Sequence, residues 1–442
     1  MTDLSPGARV EYAAPGPGPG LAHLLAGVPE LDGVLSVREE DLAEAGEDFG
    51  HVVRRRPLAV LYPRSAADVA AIVRFGRERA LPVVPRGAGH TVDGQAQIRD
   101  GIVVNLASLA GVGEPGPGRI SVFVGARWRA VVDATLPAGL TPPVLPDYLE
   151  LSVGGTLSAG GFGGASHQHG CIADNVYDLD VVTPSGELVT CSPTHDSDLF
   201  DAVRGTQGEY GIIVRATLAL TPANSSARRY LLTYRELPTF LADQRRLIAD
   251  RRFYHVGGQA QLVPGEGWRY VLEAVTTFTA PDQPDDDSLL GDLGHERDTV
   301  QAATTAYVEF LDRIGPFEAH LRAIGSWQHH PHPRCNVLLP GEQAEEIISD
   351  FLADLTADGL GSALGGSVLL YSIPTALLAA PNMPKAQDPI SIILGVQRTA
   401  PADDPGLVAE MKQANLALHS RARSVGGASY TYPTAYHESL HR

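Results

Sequence analysis

The sequence predicts an α+β protein of two domains. Three observations carry that prediction. Strand-like and helix-like segments alternate from Pro57 to Leu220, the polar run Thr221-Pro222-Ala223-Asn224-Ser225-Ser226 interrupts them, and longer helices with a few strands follow. The expected organisation is therefore a leader and N-terminal extension over 1–45, a first domain over 46–222, a second over 223–425, and a tail over 426–442 that returns to the first.

The elements follow in chain order. Residues 1–20 end in Pro15-Gly16-Pro17-Gly18-Pro19-Gly20 and read as a flexible leader. Leu58 to Tyr62 reads as a strand. Ser65 has the character of an N-cap with Asp68 three residues on, and Val69, Ile72, Val73 and Leu81 recur at roughly helical spacing. Leu81 to Val84 is a second strand, broken by Pro85 and a glycine-rich loop, and Ile102–Val104 and Ile120–Val124 are further strands. A helix carrying Trp128, Val131, Val132 and Leu136 ends at Gly139. Asp180–Thr183 and Glu187–Thr190 flank Pro184-Ser185-Gly186 as a hairpin. Asp198–Val203 is a short helix, and glycines at 205, 208 and 211 lead into a strand from Ile212 to Leu220. In the second half, Trp268–Val275 and Ser391–Val396 read as strands.

Composition narrows the function classes. The 442 residues carry 34 Lys plus Arg against 52 Asp plus Glu, a net charge of −18, which disfavours nucleic acid and anionic membrane surfaces as partners. The three cysteines, Cys171, Cys191 and Cys335, make neither a disulfide framework nor a metal pattern, and no basic segment leads into an apolar one at the start. A cytoplasmic protein is expected.

Three segments carry chemistry. In Arg86-Gly87-Ala88-Gly89-His90-Thr91, with Gly94-Gln95-Ala96 behind it, the glycines can take positive φ and let N–H groups converge on an anion such as a pyrophosphate. His90 offers an imidazole nitrogen for a covalent bond to a flavin ring, although a loop histidine is more often a solvated residue. In the second segment, Gly154 to Gly164, six of eleven residues are glycine, a composition that costs a helix or strand about 1 kcal/mol per glycine and implies close backbone approach to something flat or charged. The third is Asp147 in Pro146-Asp147-Tyr148, a carboxylate able to accept a proton or a plain turn residue after proline. His167, His169, His329, His330 and His332 lack partners at ligand spacing, so no metal is expected.

Taken together, Asp48-Phe49-Gly50, Arg86 to Thr91 with Gly94-Gln95-Ala96, Asp147-Tyr148-Leu149 through Ser158, Asp174-Asn175-Val176 through Ser192, and Asp198-Leu199-Phe200 through Ile213 resemble cytokinin dehydrogenase, a vanillyl-alcohol-oxidase-like flavoprotein. The resemblance runs densely from about 45 to 222 and more thinly through Asp243-Gln244, Trp268-Arg269-Tyr270, His332-Pro333 and Tyr432 to Tyr436. It implies the two-domain FAD-binding fold of the vanillyl-alcohol-oxidase type, with an antiparallel-sheet substrate domain capping the cofactor domain and the isoalloxazine in the cleft between them. It also implies that His90 bonds the flavin 8α carbon and that Arg86, Gly87, Ala88, Gly89, Thr91, Gln95, Ala96, Ser152, Gly154, Gly155, Ser158, Gly160, Ile213 and Tyr432 line FAD. Asp147 matches the family's catalytic aspartate, which takes a proton from the substrate amine as hydride leaves for flavin N5.

The chain departs from the family pattern in three places. Val256-Gly257-Gly258 stands where the family carries a carboxylate that holds the cytokinin base, Arg334-Cys335 follows His332-Pro333 where an aromatic is usual, and the sequence reaches Arg442 without the family's Pro-Gly-Gln segment. The expected function is oxidation of a C–N or C–OH bond of a small molecule by hydride transfer to FAD, with oxygen or a quinone as electron acceptor. A cytokinin-type secondary amine is the first expectation. A secondary-metabolite alcohol or amine, or a non-redox cyclisation or binding role in the same pocket, is the alternative.

Overall fold

The structure, a computed structural model, describes residues 10–11 and 23–430. The chain forms two compact units, each drawn from several segments. The first comprises the described residues up to Ala138, Glu150–Gly160 and Val176–Leu220; the second comprises Gly139–Leu149, Gly161–Asn175 and the chain from Thr221 onward.

The first unit holds two sheets. In one, β1 (Val34–Ser36) pairs antiparallel with β2 (Ala59–Tyr62), while β2 and β3 (Val83–Arg86) each pair parallel with β4 (Ile102–Asn105). Val10–Glu11 runs parallel beside β1. Helix α1 (Ala66–Glu78) crosses from β2 to β3 and starts on a capping box between Ser65 and Asp68, as its sequence suggests. Asp68 also accepts the N–H groups of Asp32 and Gly33, which ties the N-terminal segment to this helix. The second sheet is antiparallel: β5 (Arg119–Phe123), β8 (Ile212–Ala219), β6 (Val176–Val182) and β7 (Leu188–Cys191) lie side by side in that order. Helix α2 (Trp128–Thr135) and helix α3 (Val153–Ala159) belong to the same unit, as do the short helices Glu39–Ala45 and Ser197–Val203.

Five sequence expectations change here. Residues 23–45 are no separate extension, because Leu25 and Leu35 are buried and Leu42 packs on Val60 and Val103 of the sheet. Strand β3 runs through Pro85, which pairs with Val104; proline is tolerated because β3 is an edge strand. Helix α1 ends at Glu78 and so excludes Leu81, and α2 ends in a 3₁₀ turn before Gly139, whose φ is +69°. The glycine-rich run at 154–164 opens as a helix, capped by Ser152, whose hydroxyl accepts the Gly155 N–H.

The second unit is built on an eight-stranded antiparallel sheet. Its order is β12 (Gln301–Ala306), β9 (Ser226–Tyr234), β11 (Gly267–Phe278), β10 (His255–Val263), β14 (Ser367–Pro374), β15 (Ile390–Gln397), β13 (Cys335–Pro340) and β16 (Ala428–Ser429). Period-two alternation divides each strand between two faces. Tyr230, Leu232, Leu272 and Leu370 join one core with Phe240 and Leu247 of α4 (Leu237–Asp250), Ile348 of α7 (Ala344–Asp354) and Leu418 of α8 (Pro405–Ser424). The opposite face carries Arg229, Glu273, His255, Gly257 and Tyr371, and the turn between the short helices α5 (Tyr307–Leu311) and α6 (Gly315–Ala323) supplies Arg313 to the same cluster.

Two boundary expectations are also revised. Gly139–Leu149 belongs with the second unit, since Leu140–Thr141 pairs with Thr221–Pro222 and Tyr148 donates to Glu318 at 2.9 Å. Asp147 is thus part of that unit. Ala428 and Ser429 pair with Leu338 and Val337 of the eight-stranded sheet, and the rest of the expected tail, residues 431–442, lies outside the described residues. Among the described residues no helix is long and apolar enough to cross a membrane.

Candidate functional site

In the first unit the chain leaves β3 at Arg86 and turns through Gly87 to Thr91. Gly89 takes φ +68°, and a Cβ there would lie 2.4 Å from the Arg86 guanidinium; a Cβ on Gly87 would lie 2.1 Å from Ser152 Oγ. The loop is therefore pressed against the start of α3, and Ala88 donates its N–H to Ser152 Oγ at 3.2 Å. Asp48 organises the other side. Its Oδ2 accepts the Thr91 hydroxyl at 2.7 Å and the Gly94 N–H at 2.8 Å, while Phe49 N–H reaches the Gly89 carbonyl at 2.9 Å. Burial pushes the Asp48 carboxyl upward against these bonds, and burial also lowers Arg86, whose Nη1 donates to the Glu47 carbonyl at 2.7 Å. His90 stacks on Phe49 with ring centroids 4.1 Å apart and is half-buried.

Several donors here have no protein acceptor. Among the described residues the N–H groups of Gly89 and Thr91 make no hydrogen bond. The side-chain amide nitrogen of Gln97 is buried and likewise unpaired. Backbone donors on a left-handed glycine turn are the arrangement that accepts phosphate oxygens, so the loop fits a dinucleotide-type cofactor.

The remaining expected cofactor residues divide. Ser152 and Gly155 meet the loop through the helix cap. Gly154 is a packing residue, because a Cβ there would lie 2.7 Å from Val124 Cβ. Gln95 accepts the Asp93 N–H at 3.0 Å in the next turn, and Ala96 is buried beside it. The Ser158 carbonyl accepts Gln207 N–H at 2.7 Å, Gly160 ends α3 at φ +97°, and Ile213 is buried on β8 opposite Val181. Tyr432 lies outside the described residues. Later glycines of the run, Gly163 and Gly164, lie against Leu145 and His255, where a Cβ would come within 2.0 and 2.1 Å. Close protein packing thus accounts for part of the glycine density.

The second unit gathers charge around Asp147. Arg313, between α5 and α6, donates from Nη2 to Asp147 Oδ1 at 2.6 Å, and the Tyr371 hydroxyl donates to Oδ2 at 2.7 Å. Arg313 Nε also donates to Glu273 Oε2 at 3.2 Å, and its guanidinium lies 4.5 Å over the Phe310 ring. Glu273 is bound in turn by Arg229 and by His255 Nε2 at 3.1 Å. Burial alone would push Glu273 up, but Arg313, His255 and Arg229 hold it well below the usual carboxylate range. Burial opposes the charge of Arg313, and Asp147 with Glu273 more than offsets it, so Arg313 stays above its ordinary value. Tyr371 and Tyr254 are raised well above theirs by burial and by neighbouring oxygens. The Tyr254 hydroxyl pairs with that of Tyr307 at 2.8 Å.

Arg313, Glu273, His255 and Tyr371 carry no local motif. Glu273 offered one signal, a carboxylate inside the otherwise apolar run Tyr270 to Val275. Gly257 sits across from Glu273 on the neighbouring strand, and a Cβ on it would lie 2.9 Å from the Tyr371 ring. Tyr371 thus occupies the space that a larger residue at 257 would need. The histidine groups have structural partners: His167 lies 2.7 Å from the Gly164 carbonyl, and His332 Nδ1 lies 3.0 Å from Thr399 Oγ1. Burial lowers His167 to about 4.

Comparison with known proteins identifies the family. The family model described as "FAD binding domain" matches residues 57–192, and the one described as "Cytokinin dehydrogenase 1, FAD and cytokinin binding" matches residues 259–381. The glycine–histidine loop and Asp147 fall inside the first match; Glu273, Arg313 and Tyr371 fall inside the second, while Arg229, His255 and Gly257 lie outside both. The protein is an FAD-dependent oxidoreductase. It is 40% identical to "Uncharacterized oxidoreductase ORF5 in fasciation locus" of Rhodococcoides fascians over 90% of each chain. From Oryza sativa subsp. japonica, "Cytokinin dehydrogenase 7" is 35% identical over 83% of this chain and 78% of its own, and "Cytokinin dehydrogenase 5" is 38% identical over 77% and 71%. The chain belongs to the cytokinin dehydrogenase family.

Proposed function

We propose that this protein oxidises the C–N bond of a small secondary amine of the cytokinin type, with Asp147 as proton acceptor and with FAD bonded covalently to His90. The observation that carries the reading is the Asp147 carboxylate, 28% exposed and held by donors from Arg313 and Tyr371. Each carboxylate oxygen offers two acceptor positions, so one donor apiece leaves room for a substrate N–H. FAD, when bound, supplies a two-electron acceptor for the hydride that leaves the substrate carbon. Asp147 takes the amine proton in the same event, which leaves a C=N bond in the product. The chain's own part is to hold the carboxylate in place and aimed, through Arg313 and Tyr371. Arg86 to Thr91, Gln95, Ala96, Ser152, Gly155, Ser158, Gly160 and Ile213 would hold the cofactor, supported by the unclaimed N–H groups of Gly89 and Thr91. The reading extends to the vanillyl-alcohol-oxidase type of fold, to oxygen or a quinone as acceptor, and to a cytoplasmic location, supported by three buried thiols.

Another amine or an alcohol is the second reading, favoured by Gly257, which leaves no side chain to bind a base at that position. Anaerobic mixing with a panel of secondary amines and alcohols tests both, since bleaching of the flavin spectrum marks a substrate. A ligand that binds without bleaching would point to the non-redox alternative. Acid precipitation tests the tether: yellow colour should stay with the pellet and be lost from His90→Ala, and colour in the wild-type supernatant would refute a covalent bond.

A further inference from the structure

We infer that Arg313 is a positioning residue for Asp147, fixing the carboxylate's orientation and supplying the cation that faces it. This rests on the reading of Asp147 as the proton acceptor. Arg313 is 9% exposed and bridges two carboxylates, Asp147 at 2.6 Å and Glu273 at 3.2 Å. Its rotamer is fixed from both ends and by the Phe310 ring beneath it. An arginine fork can hold two acceptors at set angles, which an ammonium cannot.

The surrounding charges come from every element packed on the cluster. Sheet strands contribute Glu273, Arg229, His255 and Tyr371, with Tyr254 just before β10. Helix α5 contributes Tyr307, the turn between α5 and α6 contributes Arg313, and Glu318 with Arg322 of α6 binds the neighbouring Tyr148. Two guanidinium groups, Arg229 and Arg313, thus face two carboxylates, Glu273 and Asp147. Without Arg313, Asp147 would lose its cation and keep the negative charge of Glu273 nearby. An opposite charge within a few ångströms favours the charged form of a carboxyl group, so its removal should move the acid limb of the reaction to higher pH.

The test is the pH dependence of anaerobic flavin reduction by a bleaching amine, measured on the flavin-loaded enzyme. In Arg313→Gln the acid limb should move up by roughly 1–3 pH units and much of the rate should return at high pH. Arg313→Lys should keep the limb in place but lower the plateau, because one ammonium replaces the fork. Tyr371→Phe should move the limb upward by less. Glu273→Gln should move it down, since a like charge is removed and Arg313 is left to Asp147 alone. A folded Arg313→Gln with an unmoved limb would overturn the inference. If that variant fails to fold, an unmoved limb in Glu273→Gln overturns it instead. Asp147→Asn separates the two levels. A wild-type limb surviving in Asp147→Asn sinks the proton-acceptor reading itself, whereas a limb lost there and unmoved in the Arg313 and Glu273 variants sinks only the role of Arg313.

Discussion

The glycine–histidine loop of the first unit and the carboxylate–guanidinium cluster of the second are built on opposite plans. The loop is made from backbone. Its shape comes from the positive φ of Gly89, from the approach of Gly87 to a helix cap, and from N–H groups bonded to Asp48 and Ser152. The cluster is made from side chains on separate elements, and Asp147 reaches partners 166 and 224 residues away in sequence. A backbone site tolerates little change in residue type where the chain must turn or pass closely. A side-chain site depends instead on strand register, because a slip of one residue would send Glu273 or Tyr371 to the core face.

This contrast sets the order of expected effects. The largest belongs to Asp147→Asn, which keeps size and hydrogen-bonding capacity but cannot accept a proton. Loss of a general base typically costs about 10²–10⁴-fold in rate, and the loss should appear in anaerobic flavin reduction while the flavin spectrum and its attachment stay unchanged. A rate within a few-fold of wild type would make Asp147 a structural partner of Arg313 and move the base elsewhere.

A smaller effect concerns the face on which Gly257 stands. A charge-assisted hydrogen bond contributes about 1.5–3 kcal/mol, roughly ten- to a hundredfold in affinity. Glu273, the nearest carboxylate across the strand pair, is already bound by Arg313, Arg229 and His255. Isopentenyl-adenine-type cytokinins should therefore bind weakly, with KM raised by about that factor over a family member that retains the carboxylate. A low-micromolar KM with fast flavin reduction would show that another group holds the base. Gly257→Ala sharpens the comparison further, since its Cβ must displace the Tyr371 ring 2.9 Å away and so disturb a donor to Asp147.

The two plans also explain what could be read from the chain beforehand. The Ser65–Asp68 capping box, the hairpin at Pro184-Ser185-Gly186 and the loop at 86–91 are local chemistry, and each is visible within a few residues. The helix Val153–Ala159 was concealed because two glycines argue against it, and only the Ser152 cap and the packing of Gly154 on Val124 make it favourable there. The placement of Asp147 in the second unit was concealed for another reason. The strand pair Leu140–Thr141 with Thr221–Pro222 joins segments about eighty residues apart, and nothing in either announces the other. Arg313, Glu273 and Tyr371 were illegible because their meaning lies in sheet register and in a turn between two short helices.

The smallest expected effect falls on the backbone site and concerns Ser152→Ala. Ser152 is buried, and its hydroxyl accepts N–H groups from Gly155 at 3.4 Å and from Ala88 at 3.2 Å. Removing an N-cap oxygen costs about 0.5–2 kcal/mol, and the helix it starts is weak, with two glycines in seven residues. The half-buried Ala88 N–H would also lose its acceptor, at part of the roughly 1–3 kcal/mol that a fully buried unpaired donor costs. Since water or a small shift of the loop can recover part of that, a total loss of about 1–2 kcal/mol is expected, read from urea unfolding of the flavin-loaded enzyme. Because the same oxygen joins the loop to the helix, the loss should appear together with weaker retention of flavin in any fraction not bonded to His90. The acid limb of flavin reduction should stay where it is, since the titrating groups lie in the other cluster. If Ser152→Ala were neutral in stability and flavin retention, the loop would owe its shape to Asp48 and the glycines alone, and Asp48→Asn would become the variant that separates backbone plan from side-chain plan.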